Sequence, residues 1–378
     1  MTSVKFVDLG AMHAEIADEV SRGFAAVLDS TGFVGGPQVS GFEAEFAHYS
    51  GREHCVGVGN GTDALELAVR ALGIGAGDEV LLPANTFIAS AEAVHRAGAT
   101  PVLVDVDDTT LLIDPAAVTA AIGPRTAAIM PVHLFGQLAP MGALQAIARD
   151  HQLAVIEDAA QAQGATQDGR GIGSGSAVAA TSFYPGKNLG AYGDAGAVLC
   201  DDAALAERVR RIGNHGGTVK YRHDEIGFNS RMDALQAVVL RAKLKRLDDW
   251  NDRRRAAAER YGKALDETPV GVPSVAPGNE HVWHLYVIRV AERDRVLDQL
   301  TANGIGAGIH YPSPLHLTEA FAHLGYGEGA FPVAETAADE ILSLPMHPAL
   351  EPYEQDAVVS VLLDAVGSGS ASEHRPAG

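Results

Sequence analysis

The sequence predicts an α/β architecture: a mostly parallel seven-stranded sheet sandwiched by helices, followed by a smaller C-terminal α/β domain. Three observations carry this. Seven short apolar runs recur between residues 54 and 200: His54–Val58, Glu79–Leu82, Pro101–Val104, Ala127–Val132, Leu153–Ile156, Ala177–Phe183 and Ala195–Cys200. Several are separated by Ala/Leu-rich stretches with helical spacing, such as Ala64, Leu65, Ala68, Leu72 and Leu144, Ile147, Ala148. Strands apolar on both faces and alternating with helices belong in a parallel sheet covered on both sides. Third, 378 residues exceed the ~250–300 over which one core keeps growing.

The helical, charge-dense stretch Asp233 to Leu265 bridges to the second domain, where Pro269, Pro273 and Pro277 are followed by a strand, Leu285–Val290, and a helix, Asp294–Asn303. The expected division is a large domain over 1–250, a small one over 251–366, and a Gly/Ser/Pro-rich disordered tail over 367–378. No internal repeat is visible.

Composition narrows the function. A net charge of −20 argues against nucleic-acid or anionic-membrane partners, which require a basic face. No apolar run reaches the ~18 residues of a membrane span, and no leader pattern opens the chain, so a cytoplasmic protein is expected. Cys55 and Cys200 lie in apolar runs and read as reduced packing residues. Six lysines against 22 arginines leave few candidates for amine chemistry.

In such sheets ligands bind beyond the carboxyl ends of the strands, and the residues there are informative. The first run leads through Gly57-Val58-Gly59-Asn60-Gly61-Thr62-Asp63-Ala64 into a helix. Glycines admit a ligand to the backbone, and a helix start offers free N–H donors, so a phosphate fits. A plain strand–helix turn capped by Thr62 or Asp63 explains the same residues. Phe87, just past the second run, is either core or a stacking face. Glu157 and Asp158 end an apolar run, where carboxylates are costly unless paired. One can be a helix cap, while Asp158 suits a pyridinium nitrogen, a charge-assisted contact of roughly 1.5–3 kcal/mol. Lys187 sits in a loop framed by Pro185, Gly186 and Gly190, five residues after Ser182, a hydroxyl able to donate to phosphate. A lysine among apolar or cationic neighbours loses its proton and becomes a nucleophile. Singly these are ordinary residues. Together they supply the amine, acid, flat face and anion cradle that pyridoxal 5′-phosphate requires. No metal site is expected.

At this point the chain resembles the DegT/DnrJ/StrS-type nucleotide-sugar aminotransferases of pyridoxal-phosphate fold type I, from Val7-Asp8-Leu9 to about Pro345. The motifs that carry the likeness are Gly61-Thr62-Asp63-Ala64-Leu65, Glu157-Asp158-Ala159-Ala160-Gln161, Ser182 through Gly190, and Gly227-Phe228-Asn229-Ser230-Arg231-Met232-Asp233. The resemblance implies that Lys187 forms the Schiff base and moves protons, Asp158 pairs with the ring nitrogen, Gln161 contacts the ring hydroxyl and Phe87 stacks on the ring. It assigns the phosphate to Gly61, Thr62 and Ser182. Asn229 is implied to reach the cofactor of a neighbouring subunit, which makes a homodimer the working unit. Tyr184, His310 and Tyr311 correspond to sugar-side contacts.

The implied reaction is ping-pong. L-glutamate leaves its nitrogen as pyridoxamine 5′-phosphate, and a nucleoside-diphosphate keto-sugar, dTDP-linked by family frequency, takes it at C3 or C4. The product is an amino-deoxysugar for an antibiotic or a polysaccharide. The Tyr184-Pro185-Gly186 stretch leans toward the 3-keto enzymes. Relatives that dehydrate sugars carry histidine in place of the lysine, so Lys187 supports amino transfer. Many relatives have histidine where this chain has Gln163, which puts any contact from that position in doubt. Two other readings compete. A dinucleotide oxidoreductase wants G-x-G-x-x-G and an acid near the end of the second strand, whereas Gly57, Gly59 and Gly61 are spaced G-x-G-x-G and that run ends Leu81-Leu82-Pro83. A non-catalytic regulator or scaffold of the same fold is the other.

Overall fold

The structure, a computed structural model, describes residues 3–369. Seven strands form the large sheet: β1 (His54–Val58), β2 (Glu79–Pro83), β3 (Thr100–Val104), β4 (Thr126–Ile129), β5 (Ala154–Asp158), β6 (Val178–Ser182) and β7 (Gly196–Cys200). Their order is β1-β7-β6-β5-β4-β2-β3. β7 runs antiparallel to both its neighbours, and the remaining pairs are parallel.

Both faces are covered, which is why the strands read as continuous apolar runs rather than as alternations. Successive residues still point to opposite sides. Val56, Val178, Ala180 and Val198 pack in one cluster with Leu65 and Leu67 of α1 (Gly61–Ala71) and Val94 of α2 (Ala89–Arg96). Cys55, Ala179, Ala197 and Leu199 pack on the other side with Phe42 and Phe46 of the helix Gly36–Ser50 and with Leu240 of α3 (Ala234–Leu244). The two cysteines are free and buried on opposite faces. Burial pushes the Cys55 thiol well up and the Cys200 thiol up to about 11.

The bridging stretch is two helices rather than one. The chain turns at Lys245–Arg246 between α3 and α4 (Leu247–Leu265), without a glycine or proline to announce it. Leu247 still packs with the large sheet, whereas Ala257, Ala258, Tyr261 and Leu265 join a separate C-terminal cluster. The boundary expected at residue 250 therefore falls inside a continuous helix. That cluster also holds β8 (Tyr286–Arg289) paired antiparallel with β9 (Ile341–Leu344), together with α5 (Arg293–Ala302) and α6 (Pro352–Gly369). Val4 bridges to Ile305 and packs with this part, while Phe6 packs against the cluster of the large sheet.

α6 carries the chain through residues 367 to 369, where a tail was expected, because Val358, Leu362 and Ala365 keep burying one helical face. Residues 370–378 of that expected tail lie outside the described residues. No described helix is long and apolar enough to cross a membrane.

Candidate active site

The carboxyl ends of β1, β2, β5 and β6 open into one cavity of about 690 Å³, closed on the far side by residues of the C-terminal part. Gly61, Thr62, Phe87, Asp158, Gln161, Ser182, Tyr184, Lys187, His310 and Tyr311 all line it. The structure thus brings together ten of the eleven expected site residues.

α1 starts at the cavity wall. Its cap is Asn60, whose side-chain oxygen accepts from the Asp63 N–H at 2.8 Å, and not Thr62 or Asp63. This leaves the first N–H groups of α1 directed at the cavity end with the positive end of the helix dipole. The approach is close. A Cβ on Gly61 would lie 2.5 Å from Ser182 Cβ, and one on Gly196 would lie 2.4 Å from the Asn60 carbonyl oxygen. Glycine is required at both positions for β6, β7 and the helix start to meet.

Asp158 ends β5 and is buried. Its Oδ2 accepts from Ser90 Oγ at 2.7 Å, and Ser90 Oγ lies 2.9 Å from Thr86 Oγ1, while Oδ1 accepts from the Ala160 N–H at 3.1 Å. Glu157 points the opposite way along the strand. It accepts from the Gly173 N–H at 2.7 Å and from the Ser176 hydroxyl, and pairs with His133 Nε2 at 2.9 Å. Neither acid caps a helix, since none begins there. Glu157 anchors the back of the strand, and Asp158 faces the cavity.

Gln161 is fixed from both ends: its Oε1 accepts from the Phe135 N–H at 2.6 Å and its Nε2 donates to the Tyr311 hydroxyl at 3.3 Å. Gln163 does not line the cavity; its Nε2 donates to Thr181 Oγ1 at 2.8 Å and to the Ser182 carbonyl at 2.9 Å, bracing the loop from behind. Phe87 is 51% exposed, its ring centroid 5.4 Å from that of Tyr311. It is therefore not core.

Lys187 N–H donates to the Tyr184 carbonyl at 2.8 Å, closing a tight turn that sends the side chain inward. Its Nζ makes no hydrogen bond among the described residues. Desolvation lowers its pKa to about 8, partly opposed by the charge of Asp158. His310, whose Nδ1 lies 2.9 Å from Ser343 Oγ, is brought down to about 4 by burial and then by the Lys187 charge. Burial raises the Tyr311 hydroxyl.

Asn229 is the residue that the structure keeps apart. It is exposed, outside the cavity lining, and accepts from Arg231 Nε at 3.1 Å. Several residues escaped the sequence reading. Ser90 reaches Asp158 from α2, a relation legible only as the i, i+4 spacing from Thr86. Arg96 and Asp194 line the cavity, as does His284 just before β8. The strand-end rule directed attention to the large sheet and passed over the His281-Val282-Trp283-His284 run.

Set against known proteins, residues 14–363 match the model of the DegT/DnrJ/EryC1/StrS aminotransferase family. The chain belongs to this family. Among family relatives, it is 50% identical over 349 residues to the dTDP-3-amino-3,4,6-trideoxy-alpha-D-glucose transaminase of Streptomyces venezuelae, covering 92% of each chain. It is also 50% identical over 360 residues to the erythromycin biosynthesis sensory transduction protein EryC1 of Saccharopolyspora erythraea, covering 95% of this chain and 98% of that one. The crystal structure of S. venezuelae DesV in complex with a ketimine intermediate superposes with a TM-score of 0.94 at 48% identity, covering 96% of this chain and 98% of that one.

The chain is accordingly a pyridoxal-phosphate-dependent aminotransferase of nucleotide-sugar type, and the dinucleotide oxidoreductase reading falls. Its own residues fit the cofactor. An unpaired, desolvated amine shares one cavity with a buried carboxylate and with a helix start whose first position tolerates no Cβ.

Proposed function

We propose that this chain transfers the amino group of L-glutamate to C3 of a dTDP-linked keto-deoxysugar, and does so as a homodimer. The observation that carries the reading is the Lys187 amine, lowered to about 8 by desolvation and held in the same cavity as Asp158. The choice of C3 and of thymidine diphosphate rests on the name of the 50%-identical S. venezuelae relative.

When bound, pyridoxal phosphate supplies a ring that accepts the electrons left as a proton leaves the carbon bearing nitrogen. Lys187 takes that proton at Nζ and returns it to the carbon on the other side of the nitrogen. An amine near neutrality is matched to both directions of this transfer. Asp158, held at both oxygens by Ser90 and the Ala160 N–H, is the carboxylate that would meet the ring nitrogen. Gln161, fixed by Phe135 and Tyr311, offers its amide to the ring hydroxyl. Gly61, Thr62 and Ser182 hold the phosphate at the positive end of α1. Phe87 supplies the flat face, and Tyr184, His310 and Tyr311 contact the sugar. Asn229, which lies outside the lining of its own cavity, is assigned to the cavity of the partner subunit on the strength of the family resemblance.

The reverse reaction tests this. Purified enzyme receives 2-oxoglutarate with a dTDP-3-amino or a dTDP-4-amino deoxysugar, and glutamate is measured. Formation with the 3-amino sugar alone is expected. Formation with the 4-amino sugar alone overturns the position, and formation with neither overturns the substrate class.

A further inference from the structure

Resting on the reading that the sugar substrate is nucleotide-linked, we propose that Arg96 is the side chain of this subunit that binds the substrate's diphosphate, at the rim of the cavity.

The argument begins with charge. A diphosphate is recognised best by charge-assisted hydrogen bonds. Among the described residues that line the cavity, Lys187 is the lysine and Arg96 the arginine. The Lys187 amine is committed to the cofactor. The histidines of the lining do not take its place: burial brings His310 down to about 4 and holds His284 well below the ordinary histidine value, so both rings are neutral near pH ~7. Arg96 is the cation that remains.

Its guanidinium is held in place within the protein. Arg96 ends α2, and its main-chain carbonyl accepts from Arg70 Nη2 at 2.8 Å. Its Nε lies 2.8 Å from Oε2 of Glu66, a buried acid on α1, and its Nη2 donates to Asp63 Oδ1 at 3.4 Å. Glu66 Oε1 accepts from Arg70 Nε at 2.7 Å, so two carboxylates face two guanidiniums and Arg96 is not outweighed by acid. The guanidinium is thus gripped along its Nε/Nη2 edge, while Nη1 has no partner among the described residues and 48% of the side chain stays exposed. A planar fork fixed on one edge and open at its end suits phosphate oxygens, and the fixing reduces the rotamer freedom lost on binding.

Exposure also selects the anion. The reacting carbon of either substrate must reach the desolvated amine of Lys187. Both carboxylates of glutamate lie close to its reacting carbon, whereas a sugar ring and a glycosidic oxygen separate the diphosphate from the keto carbon. A half-exposed arginine matches the more distant group.

The test titrates dTDP, and in parallel UDP, into the full-length holoenzyme by calorimetry, so that the base does not decide the outcome. Wild type, Arg96→Met and Arg96→Lys are compared, with KM for glutamate and affinity for pyridoxal phosphate measured on the same proteins. Arg96→Met is expected to bind the nucleotide at least about tenfold more weakly, and Arg96→Lys, which keeps the charge without the fork, to recover part of the loss. KM for glutamate and cofactor affinity are expected to move by less than about twofold, a split that a purely structural ion pair between α1 and α2 would not produce. Unchanged nucleotide affinity in Arg96→Met overturns the proposal. So does an equal or larger effect on glutamate or on the cofactor, which would assign Arg96 to a carboxylate or to the cofactor phosphate. Wild type that binds neither nucleotide overturns instead the nucleotide-linked substrate on which the proposal rests. If Arg96→Met fails to fold, Arg96→Lys decides: weaker nucleotide binding with glutamate unchanged is expected, and wild-type affinity overturns the proposal.

Discussion

At the scale of single residues, the site rests on which polar groups are partnered and which are left open. Asp158 is braced by two donors and keeps lone pairs for the cavity; Lys187 has no hydrogen-bond partner among the described residues. Replacing Asp158 by Asn removes the charge opposite the ring nitrogen while keeping the shape. Glutamate half-reactions should slow by on the order of 10²-fold or more by stopped-flow absorbance, with little change in thermal unfolding. A second lysine gives a pH-dependent prediction. Lys243 on α3 is buried, its ammonium 5.0 Å from the centroid of the Tyr192 ring, and desolvation brings it down to about 8. The folded state thus binds this proton less tightly than the unfolded one, so stability rises with pH between about 8 and the unfolded value near ~10.4. Lys243→Met should therefore stabilise the protein by ~1–3 kcal/mol at neutral pH, an effect that fades toward the alkaline end. Urea melts at several pH values check it; a constant gain would point to packing alone. Asp158, Lys187 and Gly61 were legible in the sequence because carboxylates, amines and glycines at strand ends have few structural reasons to be there. Ser90 and His284 were not, since each meets its hydrogen-bond partner, Asp158 and Asn188 respectively, across a long sequence separation.

Among the elements, the seven strands were legible to within about three residues, because burial on both faces produces unbroken apolar runs. Where reading failed, packing rather than local propensity decided the outcome. The α3–α4 turn has no breaker residue, and the apolar face of α6 overrides a glycine at 367. The helix start at Gly61 is the element-scale feature on which cofactor binding depends. Gly61→Ala inserts a methyl group 2.5 Å from Ser182 Cβ, so β6 and α1 must separate. Affinity for pyridoxal phosphate should fall at least about tenfold in fluorescence titration, more than for Thr62→Ala, which removes one donor and moves no backbone. The reverse ranking would place the phosphate elsewhere.

For the whole molecule, the cavity lies where the carboxyl edge of the large sheet meets the C-terminal cluster, so neither part completes it alone. The net charge of −20 argues against a basic face for polymers and leaves anion binding to local donors, α1 foremost. Asn229, exposed and outside the lining of its own cavity, sets the prediction at this scale. Lys187→Ala and Asn229→Ala proteins should each be inactive, and refolding them together in equal amounts should restore about a quarter of wild-type activity. Half of the dimers are then mixed, and each mixed dimer holds one complete site. No recovery, with mixed dimers shown to form, would confine Asn229 to its own subunit.

The claim beneath all of this is that one of six lysines is the cofactor-bearing amine. Reducing the holoenzyme with borohydride, digesting it and mapping the peptides by mass spectrometry measures it directly. The phosphopyridoxyl group is predicted on Lys187 and on no other lysine. Its recovery on Lys243 or any of the remaining four would contradict the account, as would its absence from a fully active, cofactor-saturated enzyme.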